Sequence, residues 1–317
     1  MAGTYPNLDA SDLEFRTRLY LDEAVADFYS QAELWRWFSV ASKEIAQRAT
    51  CIRRILDAQT TSGVYSVSTN TYKVSHVEYI PSTGRPVVIE KIDPLKSGHN
   101  KLNGASPQFW YELGSLIGID PVPDATYKLR LYVIDIPKMV DLSISSFSSG
   151  WTAGTGWSAS TTASHTGATA GTLTYGTVLS ASTNYTIEFT VTGIGTGGTV
   201  TPYAGSTAGV PVTSNGYHAQ NIVSSSGSPA LIFNAANSVT LTAVKTYKEA
   251  NFSSVSDQIE MEPAWHSLLT LYATFSGLVK DKKFQQAQFI ESIYRGELAY
   301  MKHNMTDIIP DGKMDVR

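Results

Sequence analysis

Residues able to do chemistry are few in this chain, and their spacing keeps them apart. The six histidines stand at 76, 99, 165, 218, 266 and 303, never within four residues of one another, and the single cysteine is Cys51. A zinc site built on one helix needs ligands a turn apart, so no such site is expected. The segment GIGTGG fits G-x-G-x-x-G at Gly193, Gly195 and Gly198. A dinucleotide cradle also requires the third glycine to open a helix and an acidic residue about twenty positions later. Strand-like TVTPYAG follows instead and the next acid is Glu249, so the segment reads as a hairpin loop. Two carboxylate pairs occur, Asp120 with Asp124 and Glu260 with Glu262. The first brackets a proline turn and the second precedes Pro263, where acidic side chains favour a helix start. General acid work needs a carboxyl in a dry apolar pocket, which neither spacing specifies. Cys51, next to Ile52 and ahead of Arg53-Arg54, reads as a buried structural thiol, and His266 beside Trp265 as a packed or surface histidine. No catalytic residue, cofactor or metal ligand is assigned, and no enzyme is expected.

The elements that would position these residues belong to two kinds of chain. At 317 residues the protein exceeds the usual single-domain size, so two domains are expected. A net charge of -4 argues against a surface that grips nucleic acid by neutralising phosphates. One cysteine cannot form an internal bridge, the start MAGTYPNLDASDLEFR has no apolar core, and no apolar run reaches the length of a membrane span. These features read as a soluble protein made in a reducing cytosol, with no membrane partner.

The chain holds 24 Lys and Arg and 28 Asp and Glu, yet only Glu188 falls among the 99 positions from Ser146 to Val244. Ser, Thr and Gly supply 49 of those positions, a linker-like composition. The pattern contradicts a linker. In NYTIEFTV, Tyr185, Ile187, Phe189 and Val191 alternate with Thr186, Glu188 and Thr190, the period of a strand with one buried face. TLTYGTVL, TVTPYAG, NIVSSS, PALIFNA and SVTLTAV read similarly between Gly, Pro and Asn punctuation, and Asn215-Gly216 suits a type I′ turn. Residues 146–246 are therefore expected to be an inserted all-β sandwich.

The flanks, 1–145 and 247–317, read as one discontinuous α+β domain. Ser30 with Glu33 forms a capping-box pattern ahead of Leu34, Trp37, Phe38, Ala41 and Ile45, which make one apolar helix stripe. YKVSHVEYI and PVVIEKIDP read as strands, and FWYELGSLIGIDPVPDATYKLRLYVIDIP as two more around the Pro-Val-Pro-Asp turn. Pro263 then opens a helix with Trp265, Leu268, Leu269, Tyr272 and Phe275 on one side. After a break near Lys280 to Lys282, a second helix carries Phe289, Ile293 and Leu298. The expected fold is α+β: a helical domain with a small antiparallel sheet and a C-terminal helical hairpin, plus the inserted sandwich.

The helix AELWRWFSVASKEIAQR, the FWYELGSLIGIDPVPD turn with its Tyr-rich strand ending in Ile-Pro, and the W-H-x-L-L opening of the hairpin resemble the head-to-tail connector adaptors of tailed bacteriophages. The resemblance covers roughly residues 10–145 and 255–305. It implies a structural virion protein of the neck, assembled in the host cytoplasm as a ring of twelve copies. Such a ring docks below the portal protein and above tail, nozzle or tail-terminator proteins, with DNA passing close by through its channel. The tail NMTDIIPDGKMDVR has no helical stripe and suits ordering on a partner. By the resemblance it is expected to engage the portal through Asp307, Ile308, Ile309, Pro310, Met314 and Arg317.

The insert is similar to jelly-roll modules of phage virion proteins that look like carbohydrate-binding modules. Trp151 and Trp157 in SSGWTAGTGWSAS are then the candidate stacking platform for a glycan, which requires an exposed ring. Against that stands a core role for both indoles, with Trp157 the one expected to be buried. A glycosidase would want two carboxylates near the sandwich, where Glu188 is the only acid.

Overall fold

The computed structural model describes residues 8–23, 28–64, 66–69, 71–83, 85–96, 106–114, 116–249 and 251–306. The fold is α+β, with four α-helices and several largely antiparallel sheets. The chain divides into two compact units, one of 1–53, 135–140 and 249–317, the other of 54–134 and 141–248. The small sheets of 54–134 thus cluster with the sandwich, whereas the sequence pattern grouped them with the helices.

The first unit is helical: α1 (Ala10–Tyr20), α2 (Gln31–Ala49), α3 (His266–Lys280) and α4 (Phe284–Thr306). Each start has a local cause. Asp9 and Asp12 form a complete capping box on α1. At α2 only half of the expected box is present. Ser30 Oγ accepts from the Glu33 amide at 3.3 Å, while the Glu33 carboxylate reaches Lys280 Nζ at 2.7 Å. The helix stripe of α2 packs as its spacing requires, with Leu34, Phe38, Ala41 and Ile45 fully buried against a core that includes Leu13, Leu268, Leu269 and Ala273. The strap Asp135–Val140 belongs to this unit, holding Met139 in its core and Lys138 Nζ 2.7 Å from Asp135 Oδ2 in a wholly buried ion pair.

The last helix differs from its expected phase. Ala287, Tyr294, Leu298 and Met301 are buried, with Ile290 packed beside them. Of the expected stripe only Leu298 faces inward, because α3 contacts the side of α4 one residue round from Phe289 and Ile293. Periodicity alone does not choose between these faces, since both carry apolar residues at helical spacing.

The second unit is built from sheets. One small sheet runs in the order Arg53–Gln59, Lys128–Ile134, Lys73–Ile80, Val87–Val88, and another in the order Ser66–Ser68, Leu116–Asp120, Phe109–Leu113, Glu90–Lys91. They share an apolar core around Val77, Trp110, Ile117, Ile119, Leu131 and Val133. FWYELGSLIGID, expected as one strand, is itself a hairpin, Phe109–Leu113 pairing Leu116–Asp120, with Gly114 at φ +63° in its turn. That left-handed backbone is open to glycine at little cost.

Residues 141–248 form a β-sandwich. Its five-stranded sheet runs Trp151–Ala153, Gly171–Val178, Ala230–Ala236, Thr199–Ala204, Thr207–Ala208. The six-stranded sheet runs Trp157–Ala159, Ala163–His165, Val239–Glu249, Asn184–Thr192, Gly216–Val223, and Lys138–Ile144 also pairs with Val239–Glu249. Leu173, Leu231 and Phe233 of one sheet meet Tyr185, Phe189 and Leu241 of the other in one core. Two turn expectations change here. GIGTGG is not a hairpin loop: it carries the chain from Asn184–Thr192 in one sheet to Thr199–Ala204 in the other, and Asn237 Nδ2 donates to the Gly197 carbonyl at 2.8 Å. Asn215-Gly216 makes no type I′ turn. Only Gly216 has positive φ, and Asn215 Oδ1 instead accepts from the Ile194 amide at 2.9 Å.

Candidate functional site

The helical unit carries its apolar residues on two sides. On α4, Phe289, Ile293, Gly296 and Tyr300 follow i, i+4, i+7, i+11 on the solvent face, with Phe289 65% and Tyr300 60% exposed. On α1, Phe15 and Leu19 stand outward one turn apart beside exposed Tyr20, while Leu13 and Thr17 point into the core. Outward aromatic and aliphatic side chains clustered at helical spacing mark a surface made for a partner. Helix α4 can show such a face because its opposite side already satisfies the core through Tyr294, Leu298 and Met301. The sequence did contain this signal: Phe289 and Ile293 were visible as a stripe, and only its direction was undetermined.

A cavity of about 230 Å³ lies in the same unit, lined by Cys51, Arg53, Glu260, Glu262, Trp265 and Met301 among others. Burial pushes the Cys51 thiol up to about 12, so it stays protonated and is a poor nucleophile. Glu262 precedes the first turn, its carbonyl accepting from the Trp265 amide at 2.9 Å, and Glu260 lines the cavity beside it. His266 is fully buried: its Nδ1 accepts from the Leu8 amide at 3.2 Å and its Nε2 donates to the Met261 carbonyl at 2.9 Å. Burial lowers its proton affinity, and a neutral ring with both nitrogens engaged ties the chain ahead of α1 to the start of α3. The other carboxylate pair is structural too, since Asp124 accepts from the Tyr127 hydroxyl and the Asp120 carbonyl from the Gln108 amide.

In the sandwich, Trp157 is buried and its indole N–H donates to the Gly171 carbonyl at 2.9 Å. Trp151 is half-buried, its ring 5.1 Å from Phe147, 4.8 Å from Tyr175 and 6.1 Å from Phe233. Both indoles thus serve as packing, one fully and one at the margin of the core. His165 is buried against Trp157, with its Nδ1 2.7 Å from the Asn237 carbonyl. Asp307, Ile308, Ile309, Pro310, Met314 and Arg317 lie outside the described residues. Among the described residues, no three His, Cys, Asp or Glu side chains gather to hold a metal, and no helix is long and apolar enough to cross a membrane.

No protein-family model matches the chain, and no curated protein matches it. Two solved structures are similar in part. A carbohydrate binding module (CBM6cm-2) from Cellvibrio mixtus lichenase 5A, in complex with cellotriose, is 18% identical at a TM-score of 0.28, over 37% of this chain and 100% of the module. The uncharacterized protein lmo2446 from Listeria monocytogenes EGD-e is 11% identical at 0.22, over 62% of this chain and 19% of that one. Neither likeness is close enough to bear on function.

Proposed function

We propose that this chain is a structural protein of a tailed-phage virion, a head-to-tail adaptor whose copies form a ring of twelve below the portal. The ring joins the capsid vertex to the tail and leaves a channel for DNA. The observation that carries this reading is the outward apolar stripe of α4, together with the unlike outward patch of α1 on the same helical unit. A closed ring needs a heterologous interface, in which one patch of a subunit meets a different patch of the next. Two dissimilar apolar patches supply that requirement in a way a monomer has no use for. The net charge of -4 agrees with a wall past which DNA slides without being held.

The test is electron microscopy and light scattering on the purified full-length protein, alone and with a phage portal. A ring, formed alone or on the portal, is expected. A monomer at high concentration that also ignores the portal would end the proposal. A version truncated after Thr306 tests the tail: ring formation with lost portal binding assigns Asp307 through Arg317 to the portal, and undiminished binding removes them from it.

A further inference from the structure

Glu188, the one charged side chain between Ser146 and Val244, is not turned to solvent. Arg54 Nε, on the small-sheet strand Arg53–Gln59, meets its carboxylate at 3.0 Å, with the two side chains 3% and 13% exposed. The Arg54 guanidinium also lies 5.2 Å from the centre of the Tyr247 ring. One strand over, on Gly216–Val223, His218 Nδ1 is 2.6 Å from Asp57 Oδ2 and its Nε2 is 3.0 Å from the Ser214 carbonyl. Farther along, Asn221 Nδ2 donates to the Thr69 carbonyl at 2.8 Å, and Lys128 Nζ donates to Thr213 Oγ1 at 2.7 Å. Sandwich and small sheets therefore meet along a line of polar bonds, to which Ala219 adds one buried apolar contact.

Both groups facing the His218 ring are acceptors, a carboxylate and a carbonyl. An imidazole that bonds to both must carry a proton on each nitrogen. The other charged groups along this line are Lys128, which is close enough to Asp57 to feel its charge, and the Arg54–Glu188 pair. Tyr217 hydrogen-bonds to Glu188, and the Phe189 ring lies tilted against the imidazole at 5.7 Å. With Lys128 bonded to Thr213 and Arg54 bonded to Glu188, the imidazolium is the cation in direct contact with Asp57.

We infer that the sandwich is latched to the small sheets by this polar seam, and that the His218 imidazolium is its titratable bolt. When the ring loses a proton, one nitrogen faces an acceptor with a lone pair, and Asp57 loses its charged partner. The seam then loosens as pH rises, while the sandwich core, built from apolar side chains, does not. The latch does not depend on what the helical unit assembles with.

Hydrogen–deuterium exchange on the full-length protein tests it, corrected for intrinsic exchange, with Ala230–Ala236 inside the sandwich as reference. Between pH ~6 and ~9, the range across which histidine changes charge, protection of Arg53–Gln59 and Gly216–Val223 should fall several-fold together while the reference holds. His218→Gln should flatten that profile. Asp57→Asn, which keeps the imidazole and removes its anion, should flatten it as well, and serves if the first variant does not fold. Wild-type protection independent of pH, or an unchanged profile in either folded variant, overturns the latch.

Discussion

The helical unit and the sandwich face water in opposite ways. Among the described residues of 141–248, only Tyr217 and Val223 are large apolar side chains left exposed, whereas the helical unit exposes Phe15, Leu19, Tyr20, Phe289 and Tyr300 among others. Yet the helical unit is rich in charge and the sandwich has almost none. A surface of Ser, Thr and Gly stays wet through hydroxyls and backbone, and it offers a partner little apolar area to bury. Charge interspersed with outward aromatic stripes keeps a subunit soluble until a matching surface covers the stripes. The contrast teaches where association belongs in this chain: on the helices, with the sandwich as a sealed body carried alongside.

The contrast can be broken most forcefully from inside the sandwich. Phe233 is fully buried against Trp151 and Phe189, so Phe233→Ala should cost about 4 kcal/mol, transfer and cavity together. In calorimetry and exchange, the sheets should unfold earlier while α2 and α3 keep their protection; equal loss in both units would deny them separate cores. Next in size is the seam. Glu188→Gln strands the buried Arg54 cation and should cost about 3 kcal/mol, and adding Arg54→Met should restore much of it. A double variant no better than the single would mean the pair is not coupled.

The helical unit has its own pH signature, opposite in sign to the seam. Burial lowers the proton affinity of His266 below its ordinary value of 6.5, so the unfolded chain takes up a proton that the folded chain refuses. The stability this neutral histidine supports is full above that value and is lost as pH falls below it. Denaturant titrations followed on the helices should show an acid slope that His266→Gln reduces; an equal slope in the variant would place its source elsewhere. A smaller effect is expected at the α2 start, where Ser30→Ala removes the acceptor for the Glu33 amide and should cost about 1 kcal/mol. The smallest change in stability accompanies the largest change in behaviour. Phe289→Ser with Tyr300→Ser should alter the unfolding free energy by no more than about 0.5 kcal/mol, and should still abolish self-association in light scattering. Assembly that survives this pair would move the interface off α4.

Much of the architecture could be read from short stretches. Alternation in Asn184–Thr192 and the stripe of α2 predicted which residues are buried, because a strand or helix with one covered face imposes its own period. The candidate surface was half legible. Phe289 and Ile293 stood out by spacing, but α4 has apolar residues on both sides, and contact with α3 decided which side is spent on the core. The seam was invisible: Arg54 read as a small basic spot and Glu188 as a lone acid, and they are 134 positions apart. Turn chemistry misled at Asn215-Gly216 and GIGTGG for a related reason. A turn residue's local preference does not say which sheet the next strand joins.

By itself the sequence determined that this chain contains two kinds of material, since a run of 99 residues with one charge folds only by sheet pairing over a shared apolar core. It also determined where most helices begin, because capping is settled within four residues. Tertiary structure alone decided that 54–134 clusters with the sandwich, that α4 turns Phe289 outward, and that Glu188 is neutralised by Arg54. These are outcomes of contacts between residues far apart in the chain, and local periodicity carries no information about which distant surface arrives to cover a face.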